Sequence, residues 1–153
     1  MQHCGTEFGL ARTYLPRMND FRNLRVWERA HALTLAVYRA TSALPAAERF
    51  GLVAQMRRAA VSVPANIAES CGRRSRRDEA HLLQVAFGSA CELEAELLLA
   101  RDLGYLPDDG HTSLLTDLVE VKRMLGALAS RTFARAGDES RRPSALSVRT
   151  SDG

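Results

Sequence analysis

A chain of 153 residues, 46% of them hydrophobic, has room for one domain whose core can close without disulfides or a structural metal. Aromatics are only 6%, and Leu and Ala lead the apolar set, which argues against a sheet rich in Val, Ile and Tyr and for helix packed on helix. Basic residues outnumber acidic ones by 21 to 18 and Lys122 is the sole lysine, so the positive charge is almost wholly guanidinium, while three cysteines (Cys4, Cys71, Cys91) with no Cys-x-x-Cys pair argue against a disulfide framework or a zinc knuckle.

Residues 1–20 show no hydrophobic periodicity, and 137–153 are rich in Gly, Ser, Pro and Arg, a composition that cannot offset its own ordering entropy, so the C-terminal extension is placed at 133–153. Both ends are expected to be disordered extensions around a helical domain at 21–132. Met18 is expected to be the native start. No stretch approaches the roughly 18 uninterrupted apolar residues of a membrane span, and MQHCGTEFGLARTYLPRMND lacks the apolar run of a secretory signal, so a cytoplasmic location is expected.

Four periodic segments follow. In the first, from about Leu24 to Ala43, the residues Val26, Ala30, Leu33, Val37, Ala40 and Leu44 recur at steps of four and three, and Pro45 stops it. The second runs from about Phe50 to Ser70 with Leu52, Met56, Ala59, Val63 and Ile67 on one face; Pro64 removes a donor inside it and predicts a kink. The third opens on Ser75-Arg76-Arg77-Asp78, a capping-box-like start, and runs to Leu103 before Gly104. The fourth follows Pro107 and carries Leu114, Leu118, Val121, Leu125 and Leu128 to about Arg131. Short connections between four such helices predict an all-α, antiparallel, up-down-up-down four-helix bundle.

The second helix has little solvent-adapted surface. Gln55, Arg58, Ser62, Asn66 and Glu69 line one face beside the apolar stripe, and Ala54, Val61, Ala65 and Ala68 line another. Together with a second apolar line on the third helix (Leu83, Phe87, Ala90), this exceeds what a lone bundle can cover and predicts self-association.

The chemical motifs weigh against an enzyme. Glu28-x-x-His31 and Asp78-x-x-His81, with Glu69 and Glu120, have the spacing of a di-iron bundle, but Glu28 and His31 project away from the apolar stripe and Asp78 sits at a capping position. Cys71 and Cys91 read as small buried hydrophobes rather than nucleophiles. No phosphate-binding Gly loop or serine nucleophile elbow is present, so no catalytic residue, metal site or cofactor is expected. The face Gln55, Arg58, Ser62, Asn66 and Glu69 is expected to form a buried polar network with Ser89 and Glu92 that fixes helix register. Arg57, Arg58, Arg73, Arg74, Arg76 and Arg77 stand against the single acid Glu69, whereas Glu92, Glu94, Glu96 and Asp102 make the far half of the third helix acidic. Arg57, Arg73, Arg74, Arg76 and Arg77 are the candidate nucleic-acid contacts, to backbone rather than base because few aromatics stand near them in sequence.

The run Phe21-x-x-Leu24-x-x-Trp27-x-x-Ala30 followed by Tyr38, then GLVAQMRRAAVSVPANIAES from Gly51 to Ser70, Gly72-Arg73, FGSACELE from Phe87 to Glu94 and LGYL at 103–106 resembles the bacterial four-helix-bundle proteins encoded in intervening sequences of 23S ribosomal RNA genes. The resemblance covers about 21–130; Ser70 stands where the family usually has Gly. It implies a cyclic homopentamer of a family with no known enzymatic activity, most of whose members have no known role. A related branch is similar to the accessory variability proteins of diversity-generating retroelements, basic pentamers that bind nucleic acid and a partner reverse transcriptase. The function expected is a non-catalytic oligomer that binds RNA or a ribonucleoprotein through arginines; the alternative is a protein-protein assembly scaffold whose arginines meet acidic subunits.

Overall fold

The computed structural model describes residues 20–141, and in that span the chain is helical, with no strand. A 3-10 turn at Phe21–Asn23, capped by the Asp20 carboxylate on the Arg22 amide, leads into α1 (Arg25–Thr41). A second short turn precedes α2 (Leu52–Cys71); α3 (Arg76–Asp102) and α4 (Asp108–Arg141) follow. Residues 1–19, which include Met18 and Cys4, and residues 142–153 lie outside the described span, as do most of the expected extensions.

One core joins all four helices. α1 supplies Ala30, Leu33 and Val37; α2 supplies Met56, Ala59, Val63 and Ile67; α3 supplies Ala86, Leu93 and Leu97; α4 supplies Leu114, Leu118, Val121 and Leu125. α2 packs on α1 and α3, and α4 packs on α3 and α1, so the helices close a ring around these side chains. The stripes expected from the sequence are the buried faces.

Local chemistry sets the helix ends. Ser75 caps α3, its hydroxyl accepting the Asp78 amide at 3.0 Å. At the other end Gly104 takes φ +74, which lets the Tyr105 amide return to the Ala100 carbonyl at 2.9 Å. The connections α1–α2 and α3–α4 meet there: Glu48 accepts the Leu52 amide at 3.1 Å and the Tyr105 hydroxyl at 3.3 Å.

α2 runs unbroken through Pro64. Proline has no amide proton, so the Ala60 carbonyl loses its helical donor, and the Thr34 hydroxyl from α1 lies 2.8 Å from that oxygen.

Two expectations are corrected. Leu83 and Ala90 are fully buried and Phe87 is half-buried under the Lys122 ammonium, which pairs with Glu94; this line faces α4 rather than a partner copy. The fourth helix does not stop near Arg131, since 133–141 is helical. The stripe simply continues: Thr132 is 4% exposed, its hydroxyl donating to the Leu128 carbonyl at 3.0 Å, and Ala136 is half-buried four residues on. Helix-favouring Ala134, Arg135 and Ala136 sustain the turns before Gly137.

Candidate nucleic-acid interface

The exit of α2 is held by the Ser70 hydroxyl, buried and donating to the Ile67 carbonyl at 2.7 Å, and by the Gly72 and Arg73 amides bonding back to Glu69 and Ser70 at 3.1 Å. The chain then turns through Gly72–Ser75 into α3, so that Arg73, Arg74, Arg76 and Arg77 crowd one end of the bundle. Their states differ. Arg73 pairs with Glu69, and Arg76 pairs with Glu79 at 2.8 Å. Arg74 and Arg77 are exposed and form no ion pair among the described residues.

Arg57 does not belong to this cluster. Its Nε donates to Thr41 Oγ1 at 2.9 Å, and its guanidinium lies 4.8 Å from the centre of the Tyr38 ring, which ties it to α1. A helix rises about 1.5 Å per residue, so Arg57 stands roughly 20 Å back from the end of α2. Sequence proximity had grouped residues that the helix axis separates.

The polar face of α2 is also not the buried network expected. Its centre does pair across the helices: the Ser62 and Ser89 hydroxyls are 2.8 Å apart, and Asn66 Nδ2 donates to the Ser62 carbonyl and hydroxyl at 2.8 and 3.0 Å. Its ends are in solvent. Arg58 donates to Gln55 at 2.6 Å and lies 3.7 Å from Glu92 with side chains 72% and 50% exposed, and Glu69 is exposed beside Arg73. Among the described residues no third element covers the α2–α3 groove, so long side chains there reach water. Glu96, one of the acids of the far half of α3, also faces this groove. Burial, with a further push from Glu92, raises its carboxyl to about 7 against the opposing pull of Arg58, and one carboxylate oxygen is shielded without a hydrogen-bond partner.

The di-iron constellation is not assembled. Glu28, His31, Asp78 and His81 are exposed, Glu120 is held by Arg123, and among the described residues no three His, Cys, Asp or Glu side chains converge on a common point. His31 instead stacks on Trp27, ring centres 5.1 Å apart. Burial pushes the Cys71 thiol up, the opposite of an activated nucleophile.

The extension of α4 adds what the sequence placed in a tail. A concavity of about 400 Å³ lies between the start of α3 and the last turns of α4, lined by Ser75, Arg77, Phe133, Ala136, Gly137 and Ser140 among others, and Phe133 is 46% exposed. Continuation of the apolar stripe through Thr132 and Ala136, with no Gly or Pro between Leu128 and Gly137, is the signal that would have found it.

Fold and site together define a small helical-bundle protein with a basic turn at one end. The chain belongs to the 23S rRNA-intervening sequence protein family, whose model matches residues 22–127. A solved structure from Bacteroides thetaiotaomicron, described as a protein of unknown function from the S23 ribosomal protein family, is similar in fold: TM-score 0.65 at 24% identity, covering 69% of this chain and 95% of that one. None of the curated proteins compared matches the chain. No helix among the described residues is long and apolar enough to cross a membrane.

Proposed function

We propose that this chain is a non-catalytic, cytoplasmic, self-assembling bundle that binds RNA or a ribonucleoprotein through the arginine turn Arg73–Arg77. The observation that carries this reading is the pair Arg74 and Arg77, exposed and without a carboxylate partner in the described structure. Guanidinium groups held at one end of a rigid scaffold suit a phosphate backbone, and the family's link to ribosomal RNA genes points the same way.

The bundle is read as antiparallel, up-down-up-down. As α1 advances from Thr34 to Thr41, its partners on α2 retreat from Ala60 to Arg57, and as α2 advances from Arg58 to Ser62, its partners on α3 retreat from Glu92 to Ser89. The assembly is read as a cyclic homopentamer. Ala54, Val61 and Ala65 on α2 and Val85, Ala95 and Leu99 on α3 are exposed on either side of the half-satisfied polar strip, a surface that a second copy would cover. Cyclic repetition would turn a modest local charge into a basic ring. A reverse transcriptase or other protein could be a further partner of such a ring.

Retention of labelled single-stranded RNA across a salt series tests the reading. Wild-type protein should bind with weak sequence preference and a log–log salt slope of about 0.7 per phosphate neutralised. Arg74→Gln with Arg77→Gln should cut binding sharply while helicity and assembly size stay unchanged. Absence of retention by wild-type protein even at low salt would defeat the nucleic-acid reading in favour of a protein scaffold.

A further inference from the structure

We infer that the concavity between α3 and α4 is a base-stacking subsite for single-stranded nucleic acid, with the Phe133 ring as its platform. The inference rests on the proposed nucleic-acid function and extends it from backbone contact to contact with bases. Three observations converge. Phe133 is 46% exposed although it directly follows the nearly fully buried Thr132 on a helix packed in the bundle. The concavity it lines is floored on the same helix by Ala136 and Gly137, and a Cβ built at Gly137 meets nothing within 4 Å, so a flat group has room to approach. Its opposite wall is the arginine turn itself, through Ser75 and Arg77.

Charge complementarity selects the occupant. Arg77 lines the concavity, and it and Arg74 on the same turn are exposed and form no ion pair among the described residues, while Asp78 stands beside them. A positive field offset in this way holds a phosphate backbone only loosely, and an aromatic ring set within it supplies the contact that charge lacks. Every base has a π-face, so such a platform is tolerant of sequence but demands an unpaired strand, because duplex bases are already stacked on one another. Phe133, Ala136, Gly137 and Ser140 all lie on α4 beyond the family-matched segment 22–127.

The test uses full-length protein and three labelled probes: a short single-stranded RNA of mixed sequence, an abasic strand of the same length, and an RNA duplex. Phe133→Ala should weaken binding of the single strand about tenfold, the order expected for one base–aromatic stack, with an unchanged salt slope. Binding of the abasic strand and the duplex should not change, Phe133→Trp should restore the loss, and light scattering should give the wild-type assembly size. Equal binding of the RNA strand by wild type and Phe133→Ala would overturn the subsite and leave the arginine reading standing. So would a uniform loss on all three probes or a changed assembly size, which would make the ring a structural or subunit contact. Failure of wild-type protein to bind any probe would defeat the proposed function and this inference together.

Discussion

The Thr34 hydroxyl of α1 lies 2.8 Å from the carbonyl oxygen of Ala60 on α2, the acceptor that Pro64 leaves without its helical amide. The same hydroxyl proton is shared with Ala30 O at 2.9 Å, so a single buried group mends the neighbouring helix while remaining tied to its own. Thr34→Val keeps shape and helix propensity but strands the Ala60 carbonyl. It should lower stability by about 1–2 kcal/mol in chemical denaturation. In a Pro64→Ala background, where residue 64 regains its amide, the same change should cost only a few tenths of a kcal/mol. Equal costs in both backgrounds would show that the two residues are not coupled.

Glu96 predicts a pH dependence with a definite sign. Burial raises its carboxyl from 4.5 to about 7 in the folded chain, so between those values the native state holds a proton that the unfolded state releases. Its stabilisation is complete below about pH 4.5 and is lost as the pH rises through 7. Much of the side chain still meets solvent, and screening trims the effect to about 1 kcal/mol. Glu96→Gln should therefore be more stable than wild type by about that amount at pH 8 and indistinguishable from it near pH 4. A constant difference across the range would assign the effect to packing instead.

Ala65 tests the proposed contact between copies. It is exposed on the small face of α2, so glutamate there is tolerated by one chain but places a charge where a second copy would pack. Ala65→Glu should leave helicity intact and reduce the assembly to a species near 17 kDa by light scattering. A wild-type protein already of that size would remove the ring altogether.

Gly137 tests the extension of α4. Its position is helical and a Cβ there meets nothing within 4 Å, so Gly137→Ala should strengthen the last turns by about 0.5–1 kcal/mol through propensity alone. Hydrogen exchange at the amides of 133–140 should slow measurably. No change would mean that this stretch is not helical in solution.

The helices and their inward faces are legible in periodicity alone, because a stripe such as Val26, Ala30, Leu33 and Val37, repeated at the helical period, has one way to be buried. The sequence also marked the cap at Ser75 and the stop at Gly104, whose chemistry is local. Tertiary structure decided which residues meet across helices. Arg57 was grouped by chain proximity with arginines that the α2 axis holds well away, and it belongs to Tyr38 and Thr41 instead. Leu83, Phe87 and Ala90 read as a surplus apolar line until α4 was laid over them. The polar strip from Gln55 to Glu69 read as buried because its residues share a face, yet burial depends on what covers that face, and nothing in the described chain does. Phe133 lies beside the arginine turn because the last turns of α4 and the start of α3 line one concavity, a juxtaposition of residues distant in the chain that periodicity along one helix cannot express.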